Sequence, residues 1–158
     1  VFRRFLAIAV LLVGQADAGD VPVCDPAAVT VLAAEGARVF RVEIADEPEE
    51  QARGLMFRPR MADDAGMLFI FDPPRPVSFW MRNTMIPLDM IFIDHSGKVE
   101  SIAERRDTYS EKVSRSQGPV RAVLEISAGL SRQFGIEPGT QAVHGAFTLA
   151  PDGLRCPG

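Results

Sequence analysis

Apolar and polar positions alternate along this chain with a period that changes several times, and each change predicts an element. Val29-Thr-Val-Leu32 and Arg38-Val-Phe-Arg-Val-Glu-Ile44 show the two-residue period of half-buried strands, with Glu35-Gly36 as a hairpin turn between them. A short helix is predicted next, capped by Asp46. Glu49 completes a capping box, and Pro48 stands in the first turn, where its missing N–H costs nothing. The helix is expected to run to about Met56, burying Ala52, Leu55 and Met56 before Pro59 stops it. Met67–Phe71 is a continuous apolar run of strand length, broken by Asp72-Pro-Pro-Arg-Pro76. Val77–Met81 and Met90–Ile93 read as further strands. Asp94-His-Ser-Gly97 turns the chain into Lys98–Glu104, so that these form a hairpin. Arg105–Pro119 is polar and aperiodic, as a long loop would be. Val120–Ile126 is another strand, and Ala128–Phe134 one or two helical turns ended by Gly135. Pro138-Gly139 leads into a last strand, Gln141–Leu149. About eight strands with closely spaced turns predict a mainly β fold, a compact jelly-roll-like β-sandwich or small barrel with one or two short helices.

The ends of the chain add a compartment. Arg3 and Arg4 precede an apolar run, Phe5–Val13, and Ala16-Asp17-Ala18 fits a small-x-small cleavage site. Residues 1–18 therefore read as a signal peptide, with a mature chain from Gly19 that is periplasmic or secreted. A membrane anchor is the alternative reading, but nine apolar residues fall short of the roughly 20 a spanning helix needs. No membrane span is expected after signal cleavage. Residues 19–37 are then a lead-in and first strand, 38–150 one domain and 151–158 a tail. Without Arg3, Arg4 and Asp17 the balance is 15 basic against 20 acidic residues. That balance, with no basic run, argues against nucleic acid or an anionic membrane as partner. Cys24 and Cys156 are the two cysteines. In an exported protein they read as a disulfide tying the ends together, the alternative being two free thiols. Lipidation at Cys24 is discounted, because Val21-Pro22-Val23 lacks the small residues a lipobox needs.

Gly54 to Asp94 is the densest stretch and holds all six methionines and the only tryptophan. Four motifs follow in order: RGLMFR (Arg53–Arg58), GMLFIF (Gly66–Phe71), FWMRNTMIPLD (Phe79–Asp89) and VLEISAG (Val123–Gly129). Together they resemble the family catalogued as domain of unknown function 192, small secreted or periplasmic proteins of bacteria and archaea. The resemblance covers roughly residues 38 to 150. It implies a compact β-rich fold and an exported compartment, with no settled activity.

Candidate chemistry is sparse. There is no G-x-S-x-G elbow, no Gly-rich phosphate loop after a strand, and neither H-E-x-x-H nor C-x-x-C, so neither metal nor cofactor is expected. His95 falls in a turn and His144 in the last strand. The polar residues set into the apolar block are Arg53, Arg58, Asn83, Thr84 and Asp89, and burying them is costly unless each finds a partner. Asn83-Thr84 reads either as a turn bonding its own backbone or, with Trp80, Arg82 and Asp89, as a recognition patch for a polyhydroxylated ligand. If Met81 fills the core, alternation turns Trp80 and Arg82 outward together. Asp89 is placed to pair with Arg53 or Arg58. Glu125, opposite in face to Leu124 and Ile126, either faces solvent or joins Asp89 in a paired-carboxylate cleft. The methionines read as core filling, with Cu(I) ligation as the alternative. No catalytic residue is assigned. The leading expectation is a non-catalytic binding or accessory module for an envelope ligand or protein. The alternatives are a glycan-acting hydrolase using Asp89 and Glu125, and a Met-rich copper-binding protein.

Overall fold

The structure, a computed structural model, describes residues 24–156; the segment read as a signal peptide lies outside them. The strands are β1 (Ala28–Ala33), β2 (Gly36–Ala45), β3 (Ala65–Arg75), β4 (Ser78–Phe79), β5 (Leu88–Ile93), β6 (Val99–Arg106), β7 (Ser114–Arg115), β8 (Val120–Ser127) and β9 (Gln141–Val143). Two short helices, α1 (Pro48–Arg53) and α2 (Leu130–Gln133), complete the set. Seven strands form one sheet in the order β6-β5-β8-β3-β2-β1-β9, curled into a half-barrel. β4 and β7 form a separate two-stranded ribbon. The fold is thus mainly β with short helices, as the pattern predicts, and its form is the barrel-like one.

The sheet is covered on both faces. Phe40, Leu68, Ile91, Leu124 and Ile126 pack with Leu130, Ile136 and Phe147 on one face. Met67, Phe69, Met90, Phe92 and Val123 pack with Leu55, Met81 and Ile86 on the other. Strands buried on both faces have no reason to alternate, which is why Met67–Phe71 and Met90–Ile93 read as unbroken apolar runs. Every residue of β5 is buried, Asp89 included.

Several local readings shift. The N-cap of α1 is Glu47 with Glu50 as its capping-box partner, one residue later than the Asp46–Glu49 reading. The helix ends at Arg53 because Gly54 takes φ 48°, and the helix itself buries nothing; Leu55, just past its end, is the buried residue. The Pro-rich segment does not break β3, which runs on to Arg75 through a cis Asp72–Pro73 bond with a register shift between Ile70 and Arg75. The long polar loop contains β7, and the last strand stops at Val143. α1 links β2 to β3 as a parallel pair, the one parallel pairing among the described residues in an otherwise antiparallel sheet.

Cys24 and Cys156 are joined, with Cα atoms 5.4 Å apart and a sequence separation of 132. Among the described residues no helix is long and apolar enough to cross a membrane.

Candidate functional site

Glu125 stands in β8, opposite Met67 of β3 on one side and Met90 of β5 on the other. Strand alternation turns it, with Val123, toward the methionine- and phenylalanine-rich cluster. It does not face solvent: only 4% of its surface is exposed, because both faces of β8 are covered. Burial among apolar side chains disfavours the charged form and pushes its carboxyl from 4.5 up to about 8. At neutral pH it is chiefly an uncharged acid, able to donate a hydrogen bond. Among the described residues none hydrogen-bonds its side chain.

The carboxyl lines a cleft of ≈450 Å³, within the size range of small-molecule sites. α1 contributes Gln51 and Arg53, and the turn after it Leu55 and Met56. Phe69, Phe71 and Arg75 come from β3, and Ser78, Phe79 and Trp80 from β4 and beyond. Gly54 lets the chain pass close over the cluster: a Cβ there would lie 3.1 Å from the Phe69 ring. Phe79 fixes the opposite wall. Its ring meets Phe69, Phe71 and Phe92 edge-on, with centroids 4.9, 6.4 and 6.2 Å away.

The lip is a braced turn. Met81 is fully buried, Trp80 is exposed, and the Arg82 guanidinium lies 5.5 Å from the Trp80 ring centroid. Asn83 has φ 54°, and its carbonyl accepts from the Phe57 N–H at 2.9 Å. Thr84 is buried; its hydroxyl donates to the Arg82 carbonyl at 3.2 Å, and its own carbonyl accepts from the Tyr109 N–H at 3.1 Å. Thr84 therefore bonds the turn's backbone with its side chain as anticipated, and Asn83 serves the turn through its positive φ and its main-chain carbonyl. Phe57 and Tyr109, which hold the turn from either side, also have positive φ and are exposed.

The structure does not bring Asp89 into this site. Asp89 pairs in register with Ile126, so its side chain leaves the opposite face of the sheet from Glu125, and the paired-carboxylate arrangement does not assemble. Its carboxylate instead accepts from the Gly129 N–H (2.9 Å), the Ser131 N–H (3.0 Å) and the Ser131 hydroxyl (2.6 Å). It thereby caps the first turn of α2 from a distant strand. Neither arginine reaches it: Arg58 pairs with Glu43, and Arg53 lines the cleft. His144 is buried between the Pro26 carbonyl (3.1 Å from Nε2) and the Ala146 N–H (3.0 Å from Nδ1), and His95 is exposed in its turn. Met67, Met81 and Met90 fill the core, Met56 and Met61 are half-buried, and Met85 is exposed. Among the described residues no three His, Cys, Asp or Glu side chains are grouped to hold a metal.

Sequence reasoning missed Arg75, Met56 and Phe79 as site residues. Arg75 sits inside Asp72-Pro-Pro-Arg-Pro76, which reads only as a strand break, and Phe79 looks like one core aromatic among several. Nothing local marks them, because the cleft is made by the approach of α1 to β4.

The described residues form a curled seven-stranded sheet and a two-stranded ribbon, with an aromatic cleft lined from both. A family profile, domain of unknown function 192, described as an uncharacterized ACR, matches residues 30–144, and the chain belongs to that family. Two solved structures are similar to it. One is a protein of unknown function from Novosphingobium aromaticivorans DSM 12444, 46% identical, with 73% of this chain and 82% of that one covered and a TM-score of 0.71. The other is from Sinorhizobium meliloti 1021 and is described as a "putative transcription regulator". It is 41% identical, with 73% of this chain and 90% of that one covered and a TM-score of 0.70. No curated protein matches the chain.

Proposed function

We propose that this chain is an exported, non-catalytic binding module of the cell envelope whose ligand enters the cleft between α1 and the β4–Trp80 segment. The observation that carries the reading is the lone carboxyl of Glu125, buried in that cleft without a protein partner. Its oxygens are not among the described polar atoms sealed from solvent without a partner, so they stay open to the cleft, where a ligand can bond to them. The half-buried Phe79 and exposed Trp80 supply contact area around it. Binding is favoured over hydrolysis because, among the described residues, the lining contains one acidic residue and neither His nor Cys. Among the described lining residues Ser78 has no base beside it, and a two-carboxylate mechanism has no second carboxylate. Export is supported by the Cys24–Cys156 disulfide, which belongs in an oxidising compartment, and by the signal-like first 18 residues.

Two measurements test this. Fractionation of cells expressing the full chain should find it in the periplasm or medium with its cysteines oxidised; reduced protein held in the cytoplasm refutes export. An NMR fragment screen on ¹⁵N-labelled protein should yield saturable shifts grouped on Gly54, Met56, Ser78, Trp80 and Thr84, with the hits recovered chemically unchanged. Shifts confined to other surfaces, or conversion of a hit, refute the binding reading.

A further inference from the structure

Resting on the reading of the cleft as a binding site, we propose that its ligand is an organic anion with an apolar body. A carboxylate, phosphate or sulfonate group is held at the mouth by Arg53 and Arg75. The body lies against Met56, Phe79 and Trp80, and a hydrogen-bond acceptor meets the carboxyl of Glu125.

Charge makes the first argument. The chain carries 21 acidic residues against 17 basic ones, yet the cleft lining contains two arginines and a single acid. Arg41, Arg58, Arg121, Arg132 and Arg155 each pair with a carboxylate. Among the described residues Arg53 and Arg75 pair with none, as is also true of Arg38, Arg60, Arg82, Arg106 and Arg115, but these two line the cleft. Arg75 has only the Gln51 side-chain oxygen at 3.4 Å and the Phe71 ring at 5.1 Å. The acid is uncharged at neutral pH, so the cleft presents net positive charge within an acidic protein. That field favours an anion and opposes a cation.

Hydrogen-bonding capacity makes the second. The Gln51 amide already donates to the Ile70 carbonyl at 2.8 Å, and the Thr84 hydroxyl to the Arg82 carbonyl. What remains in the lining is Ser78, the two guanidinium groups and the protonated Glu125. This set is rich in donors and poor in acceptors. A polyhydroxylated sugar needs both and finds few acceptors here. An anion needs donors, and guanidinium groups suit planar oxyanions in particular. The Phe79, Trp80 and Met56 side chains then require an apolar body rather than a bare inorganic ion.

The test uses two probes with one ring system. 8-Anilinonaphthalene-1-sulfonate carries a sulfonate, and N-phenyl-1-naphthylamine is the same body without it. Both are titrated into the disulfide-intact protein at low salt and pH 6.5, followed by probe emission and by quenching of Trp80. The sulfonate should bind about tenfold tighter than the neutral amine, the size of a charge-assisted hydrogen bond. Arg53→Gln and Arg75→Gln should each weaken the sulfonate about fivefold and leave the amine unchanged. Both arginines are exposed, and the wild-type comparison of the two probes needs no variant at all. Among the described residues Arg53 and Arg75 are the other charged groups in the lining. Sulfonate affinity should therefore fall as pH rises through about 8, where Glu125 ionises, and Glu125→Gln should flatten that profile while keeping a donor. Equal affinity for the two probes with no effect of the arginine variants overturns the anion while leaving the cleft a binding site. Failure of both probes to bind or to move Trp80 emission overturns both readings.

Discussion

Replacing Glu125 by Gln removes one proton-binding group at nearly constant volume, so the pH dependence of folding isolates what burial does to that carboxyl. In the folded protein it protonates near 8, against 4.5 for an ordinary glutamate. Between those values the folded chain holds a proton that the unfolded chain has released. Stability therefore falls as pH rises from about 4.5 and stops falling above about 8. The full separation corresponds to about 5 kcal/mol, and at pH 7 the wild type has lost about 3 kcal/mol relative to pH 4. Gln carries no such dependence. The variant should be close to wild type at pH 4, more stable by about 3 kcal/mol at pH 7, and more so at pH 9. Urea unfolding of both proteins with the disulfide intact, at half-unit steps from pH 4 to 9, gives the difference curve, in which every other titrating group cancels. A difference that stays constant across that range would refute the reasoning, because it would mean that Glu125 ionises in the fold as it does in water. Greater stability of the wild type at pH 9 would refute it as well, since a charged partner would then have to be present.

Four further outcomes follow. Mass spectrometry of unreduced, alkylated protein should find Cys24 joined to Cys156, and reduction should destabilise the fold by up to about 5 kcal/mol for a loop of this length; two alkylated cysteines in exported protein would contradict the pairing. Asp89→Ala should cost about 3 kcal/mol by stranding the buried donors of Gly129 and Ser131, and a cycle with Ser131→Ala should show coupling of about 1 kcal/mol or more, whereas additive losses would mean that the bond is absent. Emission from Trp80 should be red-shifted and readily quenched by acrylamide; blue-shifted, protected emission would place it in the core and dismantle the lip. Gly54→Ala should destabilise by about 1–2 kcal/mol in thermal melts, because an L side chain is strained at φ 48° and its Cβ crowds Phe69, while a neutral effect would show that the turn relaxes freely.

Local chemistry alone determined much of this protein. Two-residue alternation located β1 and β2, unbroken apolar runs located the centres of β3 and β5, and Gly135 marked the end of α2. The turn role of Thr84 was legible because a short polar side chain between apolar strands bonds its own backbone. Pairing of the cysteines followed from compartment and number. Tertiary structure alone decided which face of the sheet each carboxylate left by. Asp89 and Glu125 are both buried acids flanked by apolar neighbours, and no local pattern tells which becomes a helix cap and which lines a cleft. That depends on register: pairing Asp89 with Ile126, and Met90 with Glu125, sends the two acids to opposite sides. The cleft itself has no local signature, because Arg53, Arg75 and Trp80 meet only when α1, the end of β3 and β4 close over the same face of the sheet.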